Sequence, residues 1–216
     1  MSYYSLKSNN IIIFDWDDTL CPTTVLTNSV FNQITPHMES ISNIINDQCK
    51  KELEILDKVN VQLLNTALLN STVAIISNAD DIWIKKTGED FLPLTFSFII
   101  NNNIPIISAR KFSLQKNIKD HHIWKDFTFH HYLLNEFNNN NINTILSIGD
   151  SILEQRALEN FSKFLKLHNK SIYSKTIKYI DKPSIESLIK QNLVINRNIN
   201  VIVNQSINNT LYMKNI

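Results

Sequence analysis

The chain has 216 residues, of which 43% are hydrophobic and 19% are charged, a balance typical of a compact folded domain. Its 21 basic and 20 acidic residues give a net charge of +1, which excludes a strong overall field for nucleic acid or anionic membranes. No apolar run approaches the roughly 20 residues that cross a bilayer, and the polar N-terminus lacks a signal-peptide pattern. We therefore expect a cytoplasmic protein, in which Cys21 and Cys49 are reduced thiols.

Short apolar runs rich in β-branched residues predict the buried strands of a parallel sheet. They alternate with segments in which apolar residues recur every three or four positions, as on the buried face of a helix. This alternation predicts an α/β domain with a doubly wound parallel sheet that is flanked by helices. We expect strands at 11–14, 73–76, 104–107, 144–148 and 176–180, and helices at 36–69, 81–91, 126–137 and from Pro183 to about Ile195.

The C-terminal end of the sequence is harder to interpret. Residues 1–196 are assigned to one domain, and residues 197–216 to a C-terminal tail or edge strand. Residues 200–204 could add a strand at the edge of the sheet. The high density of asparagine offers little burial, so a mobile tail remains the alternative.

Three predicted strands end in acidic or small hydrogen-bonding residues. In an open parallel sheet, ligands bind just beyond the carboxyl ends of the strands. Such residues supply a nucleophile, a proton donor and contacts to charged oxygens, which are the groups that phosphoryl transfer requires. They are Asp15, Asp17 and Thr19 after the first strand, Ser77 and Asn78 at the end of the second, and Asp150 after the fourth.

These residues, in this order, resemble the four motifs of the haloacid dehalogenase-like (HAD) superfamily. Its first motif is a hydrophobic strand ending in Asp-x-Asp-x-Thr. The sequence DWDDTL also resembles a branch of HAD-like proteins found in protists and large DNA viruses. The third motif is a lone lysine at the start of the helix before the fourth strand. The matching residues are Asp15, Asp17 and Thr19 for the first motif, Ser77 for the second, Lys125 for the third, and Asp150 with Glu154 for the fourth.

The resemblance implies a Mg²⁺-dependent phosphatase that hydrolyses a phosphomonoester through an aspartyl-phosphate intermediate. Asp15 would attack phosphorus, and Asp17 would protonate the leaving oxygen and later deprotonate water. Since an ordinary aspartate has a pKa near 3.9, this role requires neighbouring carboxylates or burial to raise the pKa of Asp17. The resemblance assigns Mg²⁺ to Asp15, the backbone carbonyl of Asp17 and Asp150, and phosphate contacts to Thr19, Ser77, Asn78 and Lys125.

Several of these residues also have a purely structural interpretation. Ser77 and Asn78 could cap the helix that is expected to begin near Asp81. Ser151 and Glu154 fit a helix capping box, so Glu154 is assigned either to catalysis or to the cap. Three other basic residues compete with Lys125 for the third motif. They are Arg110, Lys111 and Lys116, and we choose Lys125 because it precedes the helix that leads into the fourth strand.

Trp16 and two pairs of histidines raise the further questions of a substrate contact and of a zinc site. Trp16 lies inside the first motif and could be either a core residue or a substrate-facing indole. His121 and His122, like His130 and His131, are adjacent in sequence. Adjacent residues on a helix point apart, and no His-x₃-His spacing is present, so a zinc site is not expected.

The lengths of the insertions bear on the class of substrate. Superfamily members acquire specificity through cap insertions after the first motif or after the third strand. The fifty or so residues between Leu20 and Thr72 are accounted for by a loop and one or two helices, and 110–122 resembles a loop. We therefore expect little or no cap domain, although residues 23–50 could form a small helical lid.

An open site favours a large phosphorylated substrate, such as a phosphoprotein or a nucleic-acid end, over a small metabolite that needs enclosure. No membrane partner is expected. The main alternative to a phosphatase is a HAD-fold binding or scaffold protein with weak or no turnover, which the missing cap keeps open. Phosphotransfer and dehalogenation are further alternatives, and Asp17 favours phosphate chemistry because it supplies the acid–base step.

Overall fold

The computed structural model describes residues 9–30 and 45–214, and in this part of the chain six parallel strands form one sheet. The strands are β1 (Asn10–Phe14), β2 (Thr72–Ser77), β3 (Ile106–Ser108), β4 (Thr144–Gly149), β5 (Tyr173–Lys178) and β6 (Asn209–Tyr212). The helices are α1 (Thr23–Val30), α2 (Asp47–Leu68), α3 (Asp81–Phe91), α4 (Pro93–Asn101), α5 (Ala109–Gln115), α6 (Trp124–Asn139), α7 (Ile152–Leu167) and α8 (Ile185–Asn204).

The strand order β3-β2-β1-β4-β5-β6 puts the first strand of the chain in the middle of the sheet. The chain proceeds outward to β3 on one side, then returns to β4 and proceeds outward to β6 on the other. The direction changes between β1 and β4, and such switch points form crevices at the carboxyl ends of strands. Phe14, the last residue of β1, is in register with Ile75 of β2 and Ile148 of β4. The residues that follow these three strands therefore emerge at the same edge.

Both faces of the sheet are covered, as the continuous apolar strands predict. Ile12 and Phe14 point into a core cluster shared with residues of α2 and α8. Ile11 and Ile13 point into a second cluster, shared with residues of α6 and α7. The doubly wound α/β fold expected from the sequence is confirmed. None of the described helices combines the length and the apolar character that a membrane span requires.

The expected elements differ from the observed ones mainly where short helices occur. The segment 110–122 was expected to be a loop, but its first half belongs to α5, whose N-cap Ser108 accepts a hydrogen bond from the Lys111 N–H at 3.1 Å. The helix expected at 36–69 corresponds to α2, which begins at Asp47. Its expected first part, residues 36–44, lies outside the described residues.

The prediction that residues 200–204 form an edge strand is wrong, because α8 continues through Asn204. Ile195, Ile199 and Val203 are buried at four-residue intervals and hold this extension of the helix against the sheet. An edge strand does occur further along the chain. It is β6, in which Leu211 is in register with Ile177 of β5.

The connections that could carry a cap are short in the described residues. Between β1 and the gap in the description lies α1, a helix of eight residues. Between β3 and α6 lie only α5 and a turn. Over residues 9–30 and 45–214, no cap domain covers the sheet. The lid that was considered for 23–50 falls partly on residues 31–44, which are outside the described part of the chain.

Candidate active site

Asp15 and Lys125 form a buried ion pair at the carboxyl end of β1. The Asp15 N–H donates to the Ile148 carbonyl at 2.9 Å, so the backbone pairing with β4 fixes the position of this residue. Its side chain is almost fully buried, and its Oδ2 lies 2.9 Å from the Lys125 Nζ. Burial acts to lower the pKa of Lys125, but the carboxylates of Asp15 and Glu154 raise it above its usual range. The lysine is therefore a fixed positive charge next to Asp15.

Glu154 forms the helix cap considered for it and also contacts Lys125, while its catalytic role stays a prediction. It lies in the first turn of α7, where its Oε2 accepts a hydrogen bond from the Ser151 N–H at 2.9 Å and completes a capping box. Its Oε1 forms an ion pair with Lys125. Gly149 allows this arrangement, because a Cβ at this position would lie only 2.7 Å from the Glu154 Cδ. Glu154 thus ties the cap of α7 to the lysine.

The two oxygens of the Asp17 carboxyl have different surroundings. Oδ1 accepts hydrogen bonds from the Thr23 hydroxyl at 2.5 Å and from the Trp83 indole N–H at 3.1 Å. Oδ2 lies 3.5 Å from the Ser77 hydroxyl. Burial and the negative charge of Asp15 raise the pKa of Asp17, although the two donors act in the opposite direction. A raised pKa brings this carboxyl toward the range in which it can serve as a general acid.

Asp150 adds a third carboxyl to the same edge, directly after Gly149. Burial raises the pKa of Asp150 to about 8, and the charges of Asp15 and Glu154 contribute in the same direction, while Lys125 lowers it. The site therefore holds more negative charge than Lys125 compensates. The Oδ1 of Asp15 is also buried without a hydrogen-bond partner among the described residues. Crowded carboxylate oxygens with a vacant acceptor fit a hard cation such as Mg²⁺.

Among the residues assigned to phosphate contacts, Ser77 and Lys125 have side chains close to these carboxyls. Ser77 is the last residue of β2, and its hydroxyl accepts a hydrogen bond from the Ala79 N–H at 3.2 Å. It does not cap α3, because Asp80 is the N-cap and accepts from the Ile82 N–H at 3.0 Å. The Oγ1 of Thr19 and the Oδ1 of Asn78 are buried, and neither has a partner within the described residues.

The geometry separates Lys125 from its competitors for the third motif. Arg110, Lys111 and Lys116 are exposed, and Lys111 forms a surface ion pair with Asp81. Lys125 alone among these four basic residues contacts Asp15. Lys125 is the second residue of α6, the helix that leads into β4, as its assignment to the third motif requires.

Trp16 is a core residue. It is fully buried, and its indole N–H donates to the Thr87 hydroxyl at 3.0 Å. The substrate-facing orientation considered for this residue is therefore wrong. Cys21 is also buried, and burial raises the pKa of its thiol well above the usual range, so the side chain remains a neutral thiol.

The histidine pairs lie away from the carboxyl cluster. His130 and His131 point apart on α6, and their rings pack against Phe164 at 4.4 Å and Phe127 at 4.6 Å between centroids. His121 and His122 lie in a turn instead of a helix, which brings their ring centroids to 3.9 Å. With Asp120 they form an exposed group whose ligand atoms lie within 4.8 Å of one another. The sequence-level expectation against a zinc site stays a prediction.

A buried amide network, which sequence analysis missed, holds the loop after Asp15. The Asn60 side chain donates to the Leu20 carbonyl at 2.8 Å, and Asn192 donates to the Thr19 carbonyl at 3.3 Å and to the Asn60 Oδ1 at 2.8 Å. The Tyr179 hydroxyl in turn donates to Asn192 at 2.7 Å. Asparagines on α2 and α8 with no exposed surface give no local sequence signal, because only the tertiary fold brings them to this loop.

The comparisons with known proteins are sparse. No protein-family model matches the chain, and no curated protein matches it. Among solved structures, it is similar to a protein named as a candidate haloacid dehalogenase-like hydrolase from Burkholderia xenovorans LB400. The alignment covers 94% of each chain at 9% identity, with a TM-score of 0.42. This likeness carries no inference about chemistry, and the resemblance to the DWDDTL-type branch stays a prediction.

Proposed function

We propose that this protein is a Mg²⁺-dependent, HAD-like phosphatase that hydrolyses a phosphomonoester through an aspartyl-phosphate on Asp15. The observation that carries the proposal is the environment of the Asp15 carboxyl. Lys125 lies 2.9 Å from one of its oxygens, and the other oxygen is buried without a partner in the described part of the chain. A carboxylate that is held beside a cation and keeps one oxygen without a described partner is placed to act as a nucleophile.

In the first step, an Asp15 oxygen attacks phosphorus as the bond from phosphorus to the leaving oxygen breaks. The electron pair of that bond goes to the leaving oxygen, which takes a proton from Asp17. The raised pKa of Asp17 suits this donation. Positioned acid catalysis of this kind contributes about 10²- to 10⁴-fold in rate. The product of the step is an alcohol and a phosphorylated Asp15.

In the second step, Asp17 is a carboxylate and takes a proton from the attacking water. The water oxygen bonds to phosphorus, and the bond between phosphorus and the Asp15 oxygen breaks. Inorganic phosphate leaves, and Asp15 and Asp17 return to their starting states. The phosphoryl oxygens would accept hydrogen bonds from the Ser77 and Thr19 hydroxyls and from the Lys125 ammonium group. Asn78 would contact them through its side-chain NH₂ group, since its Oδ1 can only accept.

The carboxylates of Asp15 and Asp150, with the backbone carbonyl of Asp17, would hold Mg²⁺. When bound, the ion neutralises charge on the phosphoryl oxygens and favours attack by a carboxylate. The raised pKa of Asp150 supports this assignment, because burial first, and then the charges of Asp15 and Glu154, disfavour a carboxylate at this position, and a bound cation would favour it.

We further propose that the substrate is a phosphorylated macromolecule, either a phosphoprotein or a nucleic-acid end. The support is that, over residues 9–30 and 45–214, no cap domain covers the sheet. A site left open by these residues admits a phosphate that projects from a large surface.

The test is phosphate release from p-nitrophenyl phosphate, with and without Mg²⁺, by the wild type and by Asp15→Asn. We expect Mg²⁺-dependent release by the wild type and a loss of at least about 10³-fold in the variant. Asp47→Asn is the matched control, because the Asp47 side chain is 95% exposed on α2. Undiminished release by Asp15→Asn would contradict the assignment. A wild type that binds Mg²⁺ but releases no phosphate would favour the binding-protein alternative.

A further inference from the structure

The hydrogen bonds around Asp17 distinguish its two carboxyl oxygens. Oδ1 receives the Trp83 indole N–H at 3.1 Å and the Thr23 hydroxyl at 2.5 Å. Among the described residues, Oδ2 has only the Ser77 hydroxyl at 3.5 Å, beyond the usual range for a strong hydrogen bond between oxygens. One oxygen is therefore held by two neighbours, while the other faces the residue assigned to the phosphate.

The chemistry of the indole decides which oxygen can carry a proton. A hydroxyl can donate or accept, so Thr23 alone leaves both states of Oδ1 open. An indole N–H can only donate, so Oδ1 must be an acceptor whenever the contact with Trp83 is present. A proton on Oδ1 would point at a donor and lose that hydrogen bond.

We infer that Trp83 is a positioning residue that makes Oδ2 the oxygen through which Asp17 gives and takes its proton. The inference rests on the proposed phosphatase function and deepens it. Oδ2 donates its proton to the leaving oxygen as the bond from phosphorus to that oxygen breaks. After that step, both oxygens are acceptors, and Oδ2 takes a proton from the attacking water.

The surroundings of Trp83 hold its backbone in a fixed place relative to the Asp15 loop. Asp80 fixes the start of α3 three residues earlier through its side-chain cap. The Thr87 hydroxyl donates to the Trp83 carbonyl at 2.8 Å and accepts the Trp16 indole N–H at 3.0 Å. Trp16 lies between Asp15 and Asp17. The two hydrogen bonds of Thr87 therefore connect the turn of α3 that carries Trp83 to the loop that carries Asp17.

Trp83→Phe tests the inference because it keeps an aromatic ring and removes the donor. The quantity to measure is kcat/KM, which reports the transfer of the phosphoryl group to Asp15 with departure of the leaving group. Two substrates are compared, p-nitrophenyl phosphate and ethyl phosphate. A nitrophenolate leaves readily without a proton, whereas an ethoxide requires one. We expect kcat/KM for ethyl phosphate to fall by about 10²-fold, and that for p-nitrophenyl phosphate to change little.

Trp124→Phe is the matched control. It removes an indole N–H of the same kind, which donates to the Ile118 carbonyl at 3.0 Å, away from Asp17. We expect the ratio of the two kcat/KM values to stay at the wild-type level in this variant. Thr23→Val provides a second measurement if Trp83→Phe does not fold, because it removes the other neighbour of Oδ1 and leaves the indole N–H in place. Since the indole by itself keeps Oδ1 an acceptor, the ratio of the two kcat/KM values should stay at the wild-type level in Thr23→Val.

The outcomes separate the inference from the proposed function. A selective loss on ethyl phosphate supports the role of Trp83. An equal loss on both substrates, or no loss on either, overturns that role while the phosphatase function stands. If Trp83→Phe does not fold, a selective loss on ethyl phosphate in Thr23→Val overturns it, because Thr23 and not the indole would then decide which oxygen carries the proton. A folded wild type that releases phosphate from neither substrate overturns the proposed function and the inference together.

Discussion

Lys125 and Lys175 are both buried, with 3% and 2% of their surface exposed, but they lie in unlike surroundings. Lys125 lies beyond the carboxyl ends of the strands and forms ion pairs with Asp15 and Glu154. Lys175 lies within β5 and donates to the carbonyls of Val203 at 3.1 Å and Gln205 at 2.6 Å. The carboxylates raise the pKa of Lys125, whereas burial lowers the pKa of Lys175.

The difference shows how a buried cation of a site can be told from one of the scaffold. The carbonyls around Lys175 belong to the C-terminal end of α8, where a cation satisfies exposed acceptors and the helix dipole. These carbonyls supply the hydrogen-bond acceptors that the buried Lys175 ammonium group needs. Around Lys125, carboxyl charge exceeds the charge of the lysine, and an Asp15 oxygen lacks a partner among described residues. That surplus of negative charge is what a bound metal cation would offset.

Lys125→Met should have the largest effect. It leaves the carboxyls of Asp15 and Glu154 buried without a cation, which costs about 3–5 kcal/mol in the free energy of unfolding. It also removes positive charge from the phosphoryl oxygens, so we expect kcat to fall by at least about 10²-fold. Chemical denaturation and phosphate release on the same preparation measure the two effects. Full activity in a folded variant would show that Lys125 has only a structural role.

Mg²⁺ should stabilise the protein through the carboxyl cluster around Lys125 and not through the surroundings of Lys175. At a concentration about 100 times its Kd, an ion that binds only the folded state stabilises it by about 2.7 kcal/mol. We expect the unfolding temperature of the wild type to rise with Mg²⁺, and this rise to be lost in Asp150→Asn. Lys175→Met should keep the rise. The same rise in Asp150→Asn as in the wild type would remove Asp150 from the metal site.

Lys175→Met should affect stability and not catalysis. It leaves two carbonyl groups without their donor, which costs about 1–3 kcal/mol in the free energy of unfolding. The kcat and KM for p-nitrophenyl phosphate should match those of the wild type. A large fall in kcat at unchanged stability would break the contrast between the two lysines.

The pH dependence of stability should have opposite signs for the two lysines, and this is the smallest effect. Raising the pKa of Lys125 above its value of 10.5 in the unfolded chain stabilises the fold below pH 10.5, and this stabilisation is lost at higher pH. Lowering the pKa of Lys175 has the reverse effect, so its contribution falls as pH decreases from 10.5 through the folded-state pKa. Unfolding free energies of the wild type and of each methionine variant, measured at pH values below and above 10.5, isolate the two contributions. Equal signs would contradict the assignment of their surroundings.

The sheet and the carboxyl cluster could be predicted because their signals are local. Continuous apolar runs marked the central strands, and Asp15, Asp17 and Asp150 directly follow two of them. The extension of α8 could also have been predicted, since Ile195, Ile199 and Val203 follow a helical period. The asparagines between them have low helix propensity, which weakens the helical signal of this segment.

The residues that hold the site could not be predicted in the same way. The contact between Trp83 and Asp17 spans 66 residues, and the hydrogen bond between Asn192 and Thr19 spans 173. Nothing in their local sequence distinguishes them from core residues. Trp16 shows the converse, because its position inside the first motif gave no information on whether its side chain faces the core.

The most direct test of the central claim is detection of the phosphorylated nucleophile. Wild-type protein would be mixed with p-nitrophenyl phosphate and Mg²⁺, quenched in acid during turnover, digested and analysed by mass spectrometry. We predict one phosphoryl group on Asp15, absent from Asp15→Asn and from samples without substrate. Phosphate release with no phosphorylated peptide at any time during turnover, or with the group on another residue, would contradict the account.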